Sequence, residues 1–79
     1  MARTSRGPGP VDAHIGREIR TRRKAAGMSQ SDLGAAVGVA YQQIQKYEKV
    51  ESRISVARLI EIANALGCKI TDFIPEEDR

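Results

Sequence analysis

The segment SQSDLGAAVGVAYQQIQKYEK, residues 29–49, constrains the fold of this chain more than any other. Ser29, followed three residues later by Asp32, is the pattern of a capping box and predicts a helix that begins there. Gly38 ends that helix, and a second helix is predicted from about residue 40 to residue 49. The segment therefore consists of two short helices joined by a very short connection that contains a glycine.

A turn of this kind sets two helices at about 90 to 120 degrees, which is the geometry of a helix-turn-helix unit. Gly34 is small at the point where the two helices are predicted to cross. The shared apolar wedge is supplied by Leu33, Val37, Val39, Ile44 and Tyr47.

Two apolar stripes predict the helices on either side of this unit. Ile15 and Ile19 lie four residues apart and indicate a first helix from about Asp12, its predicted N-cap, to Ala25. A fourth helix is predicted over residues 55–66, with Ser55 as its cap. Its apolar stripe comprises Val56, Leu59, Ile60, Ala63 and Leu66.

Thr71 is predicted to cap a short fifth helix that contains Phe73 and Ile74. The pattern is that of an all-α fold, a compact five-helix domain over residues 12–75 without a sheet. Residues 1–11 combine glycine, proline and arginine, which predicts a disordered basic arm. The acidic residues 76–79 are predicted to form a frayed tail.

Length and composition argue against an enzyme. The chain has 79 residues, of which 41% are apolar, enough for one modest core with little room for a catalytic cleft. We find no Ser, His and Asp set and no paired carboxylates, and we expect no cofactor. His14 is the only histidine and has no partners at metal-ligand spacing, so we expect no metal site.

Cys68 and the hydropathy pattern bear on the compartment. A lone cysteine cannot form an internal disulfide; we expect Cys68 to be a reduced core residue, and redox sensing stays open as the alternative. No apolar run approaches the roughly 18 residues that a membrane span needs, and no signal peptide is evident. We therefore expect a cytoplasmic protein that does not bind a membrane.

Charge is divided unevenly along the chain. Residues 1–27 carry seven basic and two acidic side chains, whereas residues 55–79 carry three basic and five acidic ones. This asymmetry suits a protein with one face toward a polyanion.

The predicted third helix has few apolar residues and many long hydrogen-bonding side chains. The major groove of DNA, about 12 Å wide, admits one α-helix. Within the groove, Gln pairs with adenine and Lys donates to guanine. The exposed face of this helix carries both residue types, which predicts base recognition. A merely solvated polar helix is the alternative.

Residues from about Ile15 to Ile74 resemble the Cro/CI-type helix-turn-helix family, also called the XRE or lambda-repressor-like family. The resemblance is carried by RTRRKAAGMSQSDLGAAVGV in the first two helices, QQIQKYE in the third, and RLIEIANALGCKITDFI in the last two. It implies a five-helix bundle and a transcriptional regulator, most often a repressor, that binds a palindromic double-stranded DNA operator as a homodimer.

The resemblance also implies roles for individual residues. Arg23 and Glu48 match a structural ion pair between the first and third helices, and Gln30 matches a residue that contacts a phosphate and braces the third helix. The expected base-reading residues are Tyr41, Gln42, Gln45 and Lys46. The expected phosphate-binding residues are Gln30 and Gln43, which follow from the resemblance, and the basic residues Lys49, Arg53 and Arg20, which are expected to approach phosphate by their charge.

Val50 departs from the family pattern. In the family a glycine usually stands two residues after the glutamate that ends the third helix, and in this chain that position is Val50. A β-branched residue tolerates positive φ poorly, so the turn after the third helix is expected to be strained or changed. We expect either a helix longer by one or two residues or a loop of another shape.

Two further features leave alternatives open. Arg3 and Arg6 on the Gly-Pro arm would enter a minor groove, or else the arm is an inert tail. Dimer contacts are expected from Ile70, Phe73 and Ile74, unless Phe73 and Ile74 close the core.

Two other functions remain. One is an antitoxin that binds a toxin and represses its own operon. The other is a protein-interaction module whose polar third helix contacts protein. Activation rather than repression also stays open.

Overall fold

The computed structural model describes residues 9–79, and over that range the chain contains only helices and their connections. The α-helices are α1 (Pro10–Ala25), α2 (Gln30–Val37), α3 (Tyr41–Glu48) and α4 (Val56–Leu66). They are followed by two 3-10 helices, Ile70–Phe73 and Glu76–Asp78. The predicted all-α class is confirmed. The prediction of five α-helices was wrong by one, because the fifth is a single 3-10 turn.

Side chains from all four α-helices and the first 3-10 helix meet in one core. The largest fully buried ones are Ile19, Leu33, Ile44, Ile62 and Phe73. Because no part of Phe73 is exposed, it closes the core and is not available for a dimer contact. Ile70 and Ile74 are half-buried and pack against the same core.

The apolar stripe of α4 was only partly predicted. Leu59 and Ala63 are buried as expected, but Ile62 is the fully buried residue that the prediction omitted. Val56 and Ile60 were predicted to face the core and are instead 68% and 44% exposed. Helix α4 packs against α1, α2 and the first 3-10 helix, and these neighbours leave Val56 and Ile60 exposed.

The predicted caps of α2 and α4 are present. The Ser29 hydroxyl accepts the Asp32 N–H at 2.9 Å, and Asp32 accepts the Ser29 N–H at 2.9 Å. The hydrogen bond from the Ser29 N–H, and after it one from the Ser29 hydroxyl, holds the pKa of the Asp32 carboxyl below its usual value. The Ser55 hydroxyl accepts the N–H of Arg58 at 3.0 Å.

Two other predicted caps were wrong. Helix α1 begins at Pro10 with Gly9 as its N-cap, and Asp12 is its third residue, whose carboxylate accepts the Gly9 N–H at 2.8 Å. The structure likewise places Lys69, not Thr71, at the N-cap of the first 3-10 helix. In both helices a proline or an acidic third residue, rather than a side-chain cap, marks the start.

The predicted boundary of the N-terminal arm also needs correction. Pro10 and Val11 belong to α1, so the proposed arm is shorter than residues 1–11. Its arginines, Arg3 and Arg6, lie outside the described residues. At the other end the acidic residues lie in the 3-10 helix Glu76–Asp78, and Arg79 Nε donates to the Ile74 carbonyl at 2.9 Å; the fraying of this tail in solution stays a prediction.

All four α-helices end in the same way. In each, the chain turns back through a residue with positive φ: Gly27 at 71°, Gly38 at 77°, Val50 at 61° and Gly67 at 71°. After α3, Glu51 N–H donates to the Lys46 carbonyl at 2.8 Å and Val50 N–H to the Tyr47 carbonyl at 3.2 Å. This pair of bonds is a Schellman motif. Helix α3 is therefore neither extended nor followed by a different loop, and the expected strain is present at Val50.

Replacing Val50 by glycine is expected to raise the free energy of unfolding by about 1 kcal/mol. A residue with a Cβ costs about 1 to 2 kcal/mol in the left-handed conformation, and glycine removes this cost. The gain is partly offset because glycine loses more conformational entropy on folding. Urea denaturation measures the change. The reciprocal control is Gly27→Val. Gly27 has a similar φ and open space around it, so this substitution should lower the free energy of unfolding by a comparable amount. Equal stability of Val50→Gly and wild type would contradict this account.

Two glycines permit close approach of the helices. A Cβ at Gly34 would lie 2.6 Å from the Val39 carbonyl oxygen. This close approach agrees with the predicted place of Gly34 at the crossing of α2 and α3. A Cβ at Gly16 would lie 2.6 Å from the Tyr47 carbonyl oxygen, where α1 packs on the end of α3.

No helix among residues 9–79 has the length and apolar character that crossing a membrane demands.

Candidate nucleic-acid interface

The outward face of α3 is polar throughout. Ile44 fixes the inward side of the helix, since it is fully buried. Helical spacing of three and four residues places Gln42, Gln45, Lys46 and Lys49 together on the opposite side. Of these, Gln42, Lys46 and Lys49 are exposed and Gln45 is half-buried. The structure thus brings three of the four predicted base-reading residues and one predicted phosphate-binding residue onto one surface.

The other two predicted residues of α3 flank that face. Tyr41 is the first residue of the helix and is 47% exposed, so its ring stands at the edge where the helix begins. Gln43 is half-buried on the other flank. Both side chains adjoin the polar face without belonging to its centre.

A buried ion pair holds the far end of α3. Arg23 Nε donates to Glu48 Oε2 at 2.7 Å, and Arg23 Nη2 donates to Glu48 Oε1 at 3.1 Å. The two side chains are only 8% and 3% exposed. Hydrogen bonding to Glu48 raises the pKa of the Arg23 guanidinium, so Arg23 remains protonated. Arg23 also donates to the Met28 carbonyl at 2.8 Å.

Gln30 completes this junction. Its amide nitrogen donates to Glu48 Oε1 at 3.1 Å, so the carboxylate receives bonds from both Arg23 and Gln30. Glu48 therefore ties the end of α1, the start of α2 and the end of α3 together. Gln30 thus contacts the third helix through Glu48, and its predicted contact with a phosphate stays a prediction.

The remaining predicted phosphate-binding residues lie on other elements. Arg20 is exposed on α1. Arg53 is exposed in the connection before α4, where its Nε lies 3.8 Å from Asp12 Oδ2. Lys49, by contrast, is the C-cap of α3 and belongs to the polar face itself.

The contribution of Gly16 was not predicted from the sequence. A glycine in the interior of a helix is destabilising by about 0.5 to 1 kcal/mol relative to alanine, which is a signal that another chain segment approaches closely. Here that segment is the end of α3, so Gly16 helps to set where the polar face stands relative to α1.

Comparison with known proteins places this geometry in a family. The helix-turn-helix family matches residues 19–73, which cover most of the chain. The chain belongs to the Cro/CI-type helix-turn-helix family. The family resemblance predicted from the sequence is confirmed.

A curated relative of this helix-turn-helix chain is the uncharacterized HTH-type transcriptional regulator y4wC of Sinorhizobium fredii. It is 52% identical over 73 residues, which are 92% of this chain and 51% of that protein. A relative from Sinorhizobium medicae, also named an HTH-type transcriptional regulator, is matched over 55% of its length. The chain thus spans about half the length of these relatives.

Solved structures of DNA complexes share the fold. The P22 c2 repressor protein in complex with a synthetic operator has a TM-score of 0.71 and 32% identity, covering 76% of this chain and 91% of that one.

The part of the chain that the structure describes contains no candidate metal site. Within residues 9–79 no group of three His, Cys, Asp or Glu side chains is placed to hold an ion. Cys68 is half-buried, and burial raises the pKa of its thiol. A raised pKa keeps the thiol protonated and makes it less reactive.

Proposed function

We propose that this protein is a sequence-specific, double-stranded DNA-binding regulator of transcription, most simply a repressor, and not an enzyme. The observation that carries the proposal is the outward face of α3, where Gln42, Gln45, Lys46 and Lys49 stand together on a helix anchored by a buried ion pair. We therefore call α3 the recognition helix. A regulator of a bacterial chromosome works in the cytoplasm, which is the location we propose.

Different residues would serve different parts of the duplex. Gln42 and Lys46, at the centre of the exposed face, have the chemistry to pair with adenine and guanine in the major groove. Tyr41 and Gln45 extend this reading surface. Phosphate contacts, which position the protein without reading sequence, are proposed for Gln30, Gln43, Lys49, Arg53 and Arg20.

The basic arm adds a proposed minor-groove contact through Arg3 and Arg6. We also propose a homodimer on a palindromic operator, with half-sites about 34 Å apart on one face of the duplex. With Phe73 buried in the core, the exposed pair Val56 and Ile60 on α4 replaces it as the proposed subunit contact. Such a dimer would repress by covering a promoter.

Selection from random duplexes at about 100 mM salt tests this function, because salt of this order weakens nonspecific phosphate binding. The wild type is compared with the double variant Gln42→Ala/Lys46→Ala. The matched control is Asn64→Ala/Lys69→Ala, which removes one amide and one lysine from exposed positions outside α3.

We expect the wild type and the control to enrich an inverted repeat that the double variant fails to enrich. Each bidentate base contact is worth about 1 to 3 kcal/mol of discrimination, so loss of two contacts removes most of the selectivity. A single unrepeated site would contradict the homodimer. Recovery of no motif by folded wild-type protein would favour the protein-interaction module instead.

A further inference from the structure

Arg58 occupies a position where its own helix gains little from a positive charge. It is the third residue after the N-cap Ser55 in the first turn of α4. Cations near a helix N-terminus oppose the helix dipole, and an acidic residue or glutamine is preferred at this place. A local preference that is broken in this way indicates a role outside α4.

The side chain of Arg58 leaves α4 and contacts the end of α2. Its Nη1 donates to the carbonyl oxygen of Val37 at 2.8 Å and to Glu61 Oε1 at 2.8 Å. Val37 is the last residue of α2, and the final carbonyls of a helix have no partner within it. Arg58 therefore supplies both a hydrogen bond and a complementary charge to the end of α2.

The bonded carbonyl immediately precedes the turn of the helix-turn-helix unit. Gly38 follows Val37, and Val39 N–H donates back to the Gly34 carbonyl at 2.9 Å. The recognition helix then begins at Tyr41. A Cβ at Gly34 would lie 2.6 Å from the Val39 carbonyl oxygen and 3.4 Å from Tyr41 N, so α2 packs directly against the turn and the start of the recognition helix.

We propose that Arg58 is a positioning residue, which fixes the angle at which the recognition helix enters the major groove. Glu61 holds the guanidinium against the end of α2, and α4 serves as the fixed support. The inference rests on the proposed DNA-binding function. Base contacts require side chains placed within about 0.5 Å, whereas attraction to phosphate is far less dependent on position. Arg58 therefore acts on selectivity.

Arg58→Met tests this role, since methionine keeps much of the length and removes the donors. The control is Ser55→Ala, which loses a hydrogen bond in the same turn of α4 without touching α2. Affinities for the duplex selected by the wild type and for a scrambled duplex are measured across a salt series. Circular dichroism establishes that each variant is folded at the temperature used.

We expect Arg58→Met to bind the selected duplex roughly tenfold more weakly, the effect of losing one charge-assisted hydrogen bond. Its affinity for the scrambled duplex and its salt slope should equal those of the wild type. Ser55→Ala should keep the wild-type ratio of the two affinities. Arg58→Lys, which retains the charge and the N–H donors of a single nitrogen, should restore part of the ratio.

Two results would overturn the inference while leaving the proposed function intact. One is an unchanged affinity ratio in Arg58→Met. The other is a salt slope lowered by about 0.9, which would mean that Arg58 itself contacts a phosphate. If Arg58→Met does not fold, Glu61→Ala takes its place, and an unchanged ratio there counts equally against the inference. A wild type without any selectivity would remove the proposed function and this inference with it.

Discussion

Replacing Glu48 by alanine should lower the free energy of unfolding by about 3 to 5 kcal/mol, because it leaves the charge of Arg23 buried without a counter-ion. Arg23 would retain only its bond to the Met28 carbonyl, and Gln30 would lose its acceptor. A domain of this size has a total stability of about 5 to 10 kcal/mol, so the loss is a large part of it. Urea denaturation followed by circular dichroism measures the change.

Glu51→Ala is the matched control, since Glu51 is an exposed acid three residues further along. It should change the stability by no more than about 0.5 kcal/mol. The double variant Arg23→Met/Glu48→Leu removes both charges and should recover part of the loss, because no unpaired charge remains. A Glu48→Ala protein as stable as the wild type would show that the ion pair does not hold α3.

Gly34→Ala should destabilise the domain by about 1 to 3 kcal/mol through overpacking. The new Cβ would lie 2.6 Å from the Val39 carbonyl oxygen and 3.4 Å from the backbone nitrogen of Tyr41. These are backbone atoms of the turn and of the first residue of α3, so the two helices must separate. The same urea experiment measures the effect.

Ala35→Gly is the comparison for Gly34→Ala. At this exposed neighbour in α2, glycine should be the less stable residue by about 1 kcal/mol, as helix propensity alone dictates. Propensity would make alanine the better residue at position 34 as well. A stabilising Gly34→Ala would therefore show that the helices do not cross as closely as described.

Local patterns predicted most of the fold because the physics involved is local. The capping box at Ser29 and the glycine at position 38 depend only on neighbouring backbone groups, and both are present as predicted. The caps that failed, at Asp12 and Thr71, were displaced because an acidic third residue also accepts a backbone N–H from the residue before the helix. Several residues thus compete for one helix start, and the pattern alone does not choose among them.

Some parts of the candidate site could be predicted from residue spacing, and others could not. The polar face of α3 follows from the spacing of Gln42, Gln45 and Lys46 around the buried Ile44. The pairing of Arg23 with Glu48 spans 25 residues of sequence and was inferred only through family resemblance. The bond from Arg58 to Val37 had no signal other than a cation in the first turn of a helix.

The sequence by itself determined the helices, their order, the tight turn between α2 and α3, and the polar character of the outward face. Backbone preferences and helical periodicity act over a few residues, so they can be deduced from the chain alone. The tertiary structure decided that Ile62 rather than Ile60 is buried and that Phe73 fills the core. These outcomes depend on how neighbouring helices compete for the same space, because packing across the core overrides a weak local preference when the two conflict.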